Sequence, residues 1–129
     1  MDLPADTVLV FDRDEDLMVF ESFAHTTNYL EAIDVSEGEY PAAFSPNGGV
    51  LALTAPQGPR GPVVVTRTDV DDLAGLHRRV ARYWERHQQG NTPLGPVPTA
   101  RFLIERDNEP RTGWLSRTTG VLRGRRSSR

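Results

Sequence analysis

Apolar and polar residues alternate in short runs near the start of the chain, and this pattern predicts a β-hairpin. Residues 7–11, Thr-Val-Leu-Val-Phe, are rich in the β-branched and aromatic residues that favour strands. Residues 17–20, Leu-Met-Val-Phe, form the second predicted strand, and the charged stretch 12–16 is the loop between them.

The central stretch predicts a helix followed by a second hairpin. Over residues 22–34 the residues of one face recur at steps of four and three, the spacing of an amphipathic helix. Strands are predicted at 39–44 and 50–54, and the Ser-Pro-Asn-Gly-Gly sequence of 45–49 is a strong turn signal between them. Because Pro41 cannot donate a ladder hydrogen bond, the first of these strands is expected at an edge or beside a bulge.

Residues 63–67, Val-Val-Val-Thr-Arg, are the most strand-like run in the chain, and their unbroken valines predict a central strand buried on both faces. A long helix follows, capped by Thr68 or Asp69 and ended by Gly90. Its apolar stripe consists of Val70, Leu73, Leu76, Val80 and Trp84. We expect this stripe to pack against the helix of the central stretch and the valine strand.

Together these elements predict an α+β fold in the order β-β-α-β-β-β-α, with a C-terminal extension. The sheet should be mostly antiparallel, because hairpin signals join most neighbouring strands, and both helices should pack on one face. Residues 1–90 are predicted to form the single domain. Residues 91–118 are a proline-rich crossing segment, in which Thr99–Glu105 could form an extra strand. Residues 111–115 could pair back with it as a hairpin or dock Trp114 on the core. Residues 119–129 are predicted to be a basic, disordered tail.

The composition narrows the classes of protein. A length of 129 residues with 37% hydrophobic residues suits one globular domain with a real core. Cysteine is absent, which excludes disulfides, thiolate metal sites and a cysteine nucleophile. The N-terminus has no basic region, and no apolar run reaches the length of about eighteen residues that a membrane span needs. We therefore expect a cytoplasmic protein that does not bind a membrane.

Charge is unevenly distributed along the chain. Residues 1–75 contain fourteen Asp or Glu and three Arg, a net charge of −11, whereas residues 76–129 contain four acids and twelve Arg, a net charge of +8. Lysine is absent, so every cationic side chain other than histidine is arginine. GC-biased codon usage explains the arginines. The alternative explanation of the uneven charge is that the acidic half forms a surface that binds a basic partner.

Acidic residues in two loops are the candidate protein-binding site, and they are Asp12, Asp14, Glu15, Asp16, Glu37 and Glu39. The alternating aspartates of 12–16 resemble the start of a calcium loop, but that pattern needs Gly at its sixth position and Glu at its twelfth. Here those positions hold Leu17 and Phe23, so no metal is expected. The alternatives for this loop are a solvated hairpin tip and an acidic contact surface.

Catalytic patterns do not occur in the sequence. His25, His77 and His87 have neither triad nor zinc spacing, and the last two lie near the apolar stripe as expected for partly buried structural histidines. The Pro- and Gly-rich loop 55–62 lacks the Gly-Lys-Ser/Thr ending of a phosphate-binding loop. No catalytic residue or cofactor is therefore assigned, although a site formed only in the fold would leave no such pattern.

One part of the chain resembles known proteins. Residues 28–35 and 37–40, followed by the Asn-Gly turn, resemble small stand-alone proteins of high-GC actinobacteria, some of which are immunity proteins encoded beside secreted toxins. The resemblance covers about a quarter of the chain. It implies a single α+β domain that binds a partner protein.

The sequence therefore favours a non-catalytic protein-binding module, and an immunity protein that neutralises a cognate basic toxin domain through an acidic surface is its specific form. One alternative is a small enzyme or ligand-binding protein whose site forms only in the fold. The other is a nucleic-acid-associated regulator that uses the Arg-rich C-terminus. It is less favoured, because the rest of the chain is acidic.

Overall fold

The computed structural model describes residues 3–87 and 94–107. In this part of the chain the strands are β1 (Val8–Phe11), β2 (Leu17–Phe20), β3 (Ala42–Phe44), β4 (Gly49–Thr54) and β5 (Val64–Asp71). The helices are α1 (Phe23–Tyr29), α2 (Ala32–Ser36), α3 (Leu73–His87) and α4 (Pro96–Asp107).

The five strands form one sheet in the spatial order β2-β1-β3-β4-β5, and every neighbouring pair is antiparallel. The α+β class and the antiparallel sheet are therefore confirmed. The first hairpin has the predicted strands, with Phe11 opposite Leu17 and Val8 opposite Phe20. The observed order is β-β-α-α-β-β-β-α-α, because each of two predicted regions contains one helix more than expected.

Helices cover both faces of the sheet. Leu9 and Phe11 of β1 share a buried cluster with Leu76 and Val80 of α3, whereas Val8 and Val10 pack with Phe23 of α1. Since successive side chains of a strand point to opposite faces, α3 and α1 lie on opposite sides of the sheet. The predicted packing of both helices on one face is not confirmed.

The central helix breaks in two. α1 ends at Tyr29, Leu30 is extended with φ −80° and ψ 141°, and α2 starts at Ala32. The break turns Leu30 into the core, where it is 4% exposed, and leaves Ile33 46% exposed. A continuous helix over 22–34 would instead have placed both residues on one face.

The strand containing Pro41 is predicted at an edge or beside a bulge, and the edge placement is wrong, while the one irregularity among the described strands lies between β4 and β5. β3 starts at Ala42, one residue after the proline, and lies between β1 and β4. The proline therefore stands just before the ladder, where no N–H is required of it. The turn after β3 is the predicted one: the N–H of Ser45 donates to the carbonyl of Gly49 over 2.8 Å.

The valine strand was predicted to be central and buried on both faces, and this is also wrong. β5 is an edge strand, and Val64 at its start is 38% exposed. It continues to Asp71, so Val70 belongs to the strand and is 53% exposed rather than part of the helix stripe.

The long helix starts later than predicted, because Asp72 rather than Thr68 or Asp69 caps it. The Asp72 carboxylate accepts from the N–H of Gly75 over 3.0 Å, and its carbonyl accepts from the N–H of Leu76. The buried part of the predicted stripe is reduced to Leu76, Val80 and Trp84, and it packs on the sheet face opposite to α1.

The strand considered for Thr99–Glu105 is helical. α4 spans these residues and packs against α3, and the buried Nε1 of Trp84 donates to Oγ1 of Thr99 over 2.9 Å. Pro96 and Pro98 lie in the first turn of α4, where the N–H groups have no partner within the helix, so the prolines do not oppose it.

Several predictions fall outside the described residues. They are the helix end at Gly90, the segment beyond Asp107 and the basic tail 119–129. Among the described residues, no helix is both long enough and apolar enough to cross a membrane.

Candidate functional site

The acidic residues predicted as a binding site meet at one end of the sheet. The loop 12–16 joins β1 to β2, and the segment 37–39 leads into β3, whose first residue Ala42 lies opposite Phe11. The backbone N–H of Arg13 donates to the carbonyl of Glu39 over 2.9 Å, which joins the two segments directly. Two groups of acids that are far apart in sequence therefore form one surface.

Asp12 differs from the other five because it is only 2% exposed. Its carboxylate accepts from the N–H of Asp14 over 2.9 Å and from the N–H of Asp16 over 3.0 Å. These bonds close the loop, in which Glu15 adopts a positive φ of 67°. Asp12 thus shapes the loop from inside. We call the other five residues the acidic end: Asp14, Glu15, Asp16, Glu37 and Glu39.

Arg13 lies among these carboxylates. Its guanidinium donates to Glu39 over 2.9 Å. This hydrogen bond and the charge of Glu39 raise the pKa of Arg13, and Asp14 and Glu37 raise it further through their charges. Arg13 is therefore a fixed cation that offsets part of the charge of both loops.

Helix α3 supplies two more partners. Arg82 lies 3.1 Å from Glu15, and Nε2 of His87 lies 2.9 Å from Asp16. The His87 ring also packs against Tyr83, with 4.4 Å between ring centroids. Exposed pairs of this kind contribute only about 0–1 kcal/mol each, so they favour the observed position of the loop only slightly.

Sequence reasoning missed these basic partners. Arg82 is 67 residues from Glu15 and His87 is 71 residues from Asp16, so no local pattern links them. His77 is exposed, which corrects the expectation that it is partly buried, whereas the His87 side chain is 35% exposed and packs against Tyr83. With five carboxylates against Arg13 and Arg82, the acidic end keeps a net charge of −3 when His87 is neutral.

A groove lies along the edge of β2 that pairs with no other strand of the described residues. It has a volume of about 350 Å³ and lies between α1 and α4. It is lined by Val19, Phe20, Glu21, His25, Asn28, Tyr29, Ile104 and Asp107.

Among the described residues, no histidine is hydrogen-bonded to both a carboxylate and a hydroxyl, as a catalytic triad requires. His25 lies in the groove, but no hydrogen bond among the described residues joins it to a carboxylate. Burial raises the pKa of Tyr40 and of Tyr83, so both hydroxyls stay protonated at neutral pH. Within residues 3–87 and 94–107, no group of three or more His, Cys, Asp or Glu side chains could hold a metal ion.

Comparison with known proteins adds no relative. No protein-family model matches the chain, and searches of curated proteins and of solved structures found no significant match to it. The function must therefore be argued from the geometry of the molecule itself.

Proposed function

We propose that the protein is a non-catalytic protein-binding module that presents the acidic end to a basic surface of a partner protein. The observation that carries this proposal is the convergence of two acidic segments at one end of the sheet, with a net charge of −3. Complementary charge of this kind raises the association rate and excludes acidic competitors.

The ion pairs within the acidic end support this role. Arg13, Arg82 and His87 pair with Glu39, Glu15 and Asp16, which favours one arrangement of these carboxylates. A surface that is ordered before binding loses less side-chain entropy when the partner docks. Asp14 and Glu37 form no ion pair with the described residues, so their charges remain available to a partner.

A toxin domain that acts on nucleic acid is the partner that we propose. Proteins of that class bind phosphates with Arg and Lys side chains, so their functional surface is basic, and an array of carboxylates can occupy it. Residues 28–35 and 37–40 with the Asn-Gly turn resemble small actinobacterial proteins, some of which are immunity proteins, and this resemblance motivates the same assignment. An immunity role would act in the cytoplasm, where the toxin is made.

Asp14→Asn combined with Glu37→Gln tests the proposal most sharply. These two carboxylates form no hydrogen bond or ion pair with the described residues, so their loss should leave the fold unchanged. The matched control is Asp69→Asn with Asp71→Asn, which removes the same charge from the far edge strand β5.

The measurement is surface binding kinetics against the product of the neighbouring open reading frame, at low and high salt. We expect the double variant to associate several-fold more slowly at low salt, while the control associates nearly as fast as the wild type. The difference should shrink at about 0.15 M salt, where the screening length is about 8 Å. Binding that neither salt nor the double variant slows would place the interface elsewhere. If the product of the neighbouring open reading frame does not bind at all, the assignment of a toxin as partner is refuted.

A further inference from the structure

Strand β2 is an edge of the sheet, and half of its backbone groups point away from β1. The N–H of Asp12 donates to the carbonyl of Asp16 over 3.1 Å, so residues 12 and 16 form a hydrogen-bonded pair. Pairs alternate along an antiparallel ladder, which makes Met18 a bonded residue and turns the N–H and C=O of Val19 outward. No strand of the described residues pairs with this edge.

Helices on both faces make this edge the floor of a slot. α1 contributes His25, Asn28 and Tyr29 to one wall of the groove, and α4 contributes Ile104 and Asp107 to the other. The Tyr29 ring lies 5.4 Å from the ring of Phe20 in β2, so the first wall adjoins the strand directly. A strand that extended the sheet here would be enclosed on both of its faces.

The residues that line the groove determine which kind of peptide segment it could bind. Val19, Phe20, Tyr29 and Ile104 provide apolar surface on both sides of the edge. Glu21 and Asp107 add two carboxylates, and the only ion pair of Asp107 with the described residues is a long one of 3.9 Å to its neighbour Arg106. The volume of about 350 Å³ is at the low end of the range for small-molecule sites, and it suits a short stretch of side chains.

We propose that this groove is a docking site for an extended segment of a partner protein, which adds to the sheet beside β2. Its backbone would bond to the outward N–H and C=O of Val19, and its apolar side chains would face Tyr29 and Ile104. Arg or Lys side chains of the segment would pair with Glu21 and Asp107. The groove is a separate surface from the acidic end and does not depend on its function.

The probe is the capped peptide Arg-Thr-Val-Val-Val-Thr-Arg, with a version carrying Glu in place of both Arg as its control. Amide hydrogen exchange of the full chain is measured by NMR with and without the peptide. At a peptide concentration about nine times the dissociation constant, exchange at Val19 should slow about tenfold, because the site is open for about a tenth of the time. Exchange at Met18, whose N–H already bonds to β1, should not change.

Val19→Pro is the decisive variant. It removes the outward N–H without removing a ladder bond, and proline is tolerated on an edge strand in that position. Binding of the arginine peptide should be lost while the circular dichroism spectrum is kept. If this variant does not fold, Glu21→Gln with Asp107→Asn provides the second test, and it should weaken the arginine peptide several-fold.

Three results would overturn the proposal. Peptide binding that leaves Val19 exchange unchanged would mean that the peptide docks elsewhere. Slow exchange at Val19 before peptide is added, at a rate that does not depend on protein concentration, would mean that the chain's own residues cover the groove. Protection of Val19 that increases with protein concentration would mean that a second copy of the chain covers it. The variant Asp14→Asn with Glu37→Gln should still bind the peptide, so failure of the acidic end and failure of the groove are distinguishable.

Discussion

The two faces of the sheet are built differently. On one face α3 and α4, of 15 and 12 residues, cover a continuous cluster of ten buried residues. On the other face α1 and α2, of 7 and 5 residues, cover two smaller clusters of four and three buried residues, and Tyr29 and Ile33 remain exposed. The long helices cover the larger buried cluster, and both faces keep exposed apolar side chains, Leu73 and Phe102 on the first and Tyr29 and Ile33 on the second.

The buried cluster under the long helices and the surfaces that could bind a partner lie in different parts of the molecule. The face with the long helices should carry most of the free energy of unfolding, because it buries the largest side chains. The face with the short helices contributes one wall of the groove and the segment that leads into the acidic end. Substitutions in the buried cluster of the first face should change stability, and substitutions at the groove, which both faces line, should change binding.

The largest effect is expected for Leu76→Ala. Leu76 is 0% exposed in the centre of the first cluster, and emptying such a site costs about 2–5 kcal/mol of unfolding free energy. Leu73→Ala is the matched control, because Leu73 lies one turn earlier and is 47% exposed, so its loss should cost less than about 1 kcal/mol. Urea unfolding followed by circular dichroism measures both. Equal losses would mean that α3 presents a different side to the sheet.

A smaller effect is expected from removing one buried hydroxyl on each face. Thr99 and Thr26 are both 0% exposed. Thr99→Val leaves the buried Nε1 of Trp84 without its acceptor, which should cost about 1–3 kcal/mol. Thr26→Val removes a donor to the carbonyl of Ser22, which still accepts from the N–H of residue 26, so the loss should be below about 1 kcal/mol.

Thermal and urea unfolding of the two threonine variants should rank them in that order. A Thr26 variant that is as unstable as the Thr99 variant would contradict the distinction between the faces. Tryptophan fluorescence gives an independent measurement, because only the Thr99 substitution changes the partner of the Trp84 indole.

The smallest effect is expected for Ile33→Ala. Ile33 is 46% exposed on α2, so its truncation should change the free energy of unfolding by no more than about 0.5 kcal/mol. Leu30→Ala, three residues earlier and 4% exposed, should cost several times more. Comparable losses of stability for the two variants in thermal melts would support the continuous helix over residues 22–34 that the sequence pattern predicts.

Part of this fold could be read from the sequence because the signals are local. The first hairpin, the Ser45–Gly49 turn and β4 depend on strand propensity and turn residues, and all three are present as predicted. The buried side of α3 depends on the helical spacing of Leu76 and Val80. The candidate acidic residues could be named from their positions in the two predicted loops.

Other elements could not be read because their signal is ambiguous over a few residues. The apolar run of 102–104 fits a strand or a buried helix equally well, and its packing against α3 decided for the helix. The alternation of Thr68 to Asp71 extends β5, although three aspartates close together also suit the first turn of a helix. Which strand lies at an edge was decided by pairing with distant strands.

The sequence by itself determined the charges of this protein, and the tertiary structure decided where they act. Fourteen acids in residues 1–75 and the arginines of the later helix are visible in the chain, but their pairing is not. Packing of α3 against the sheet brings Arg82 to Glu15 and His87 to Asp16 across about seventy residues, and the loop itself folds around the buried Asp12. Electrostatic energy depends on distances in space, and only the fold sets those distances.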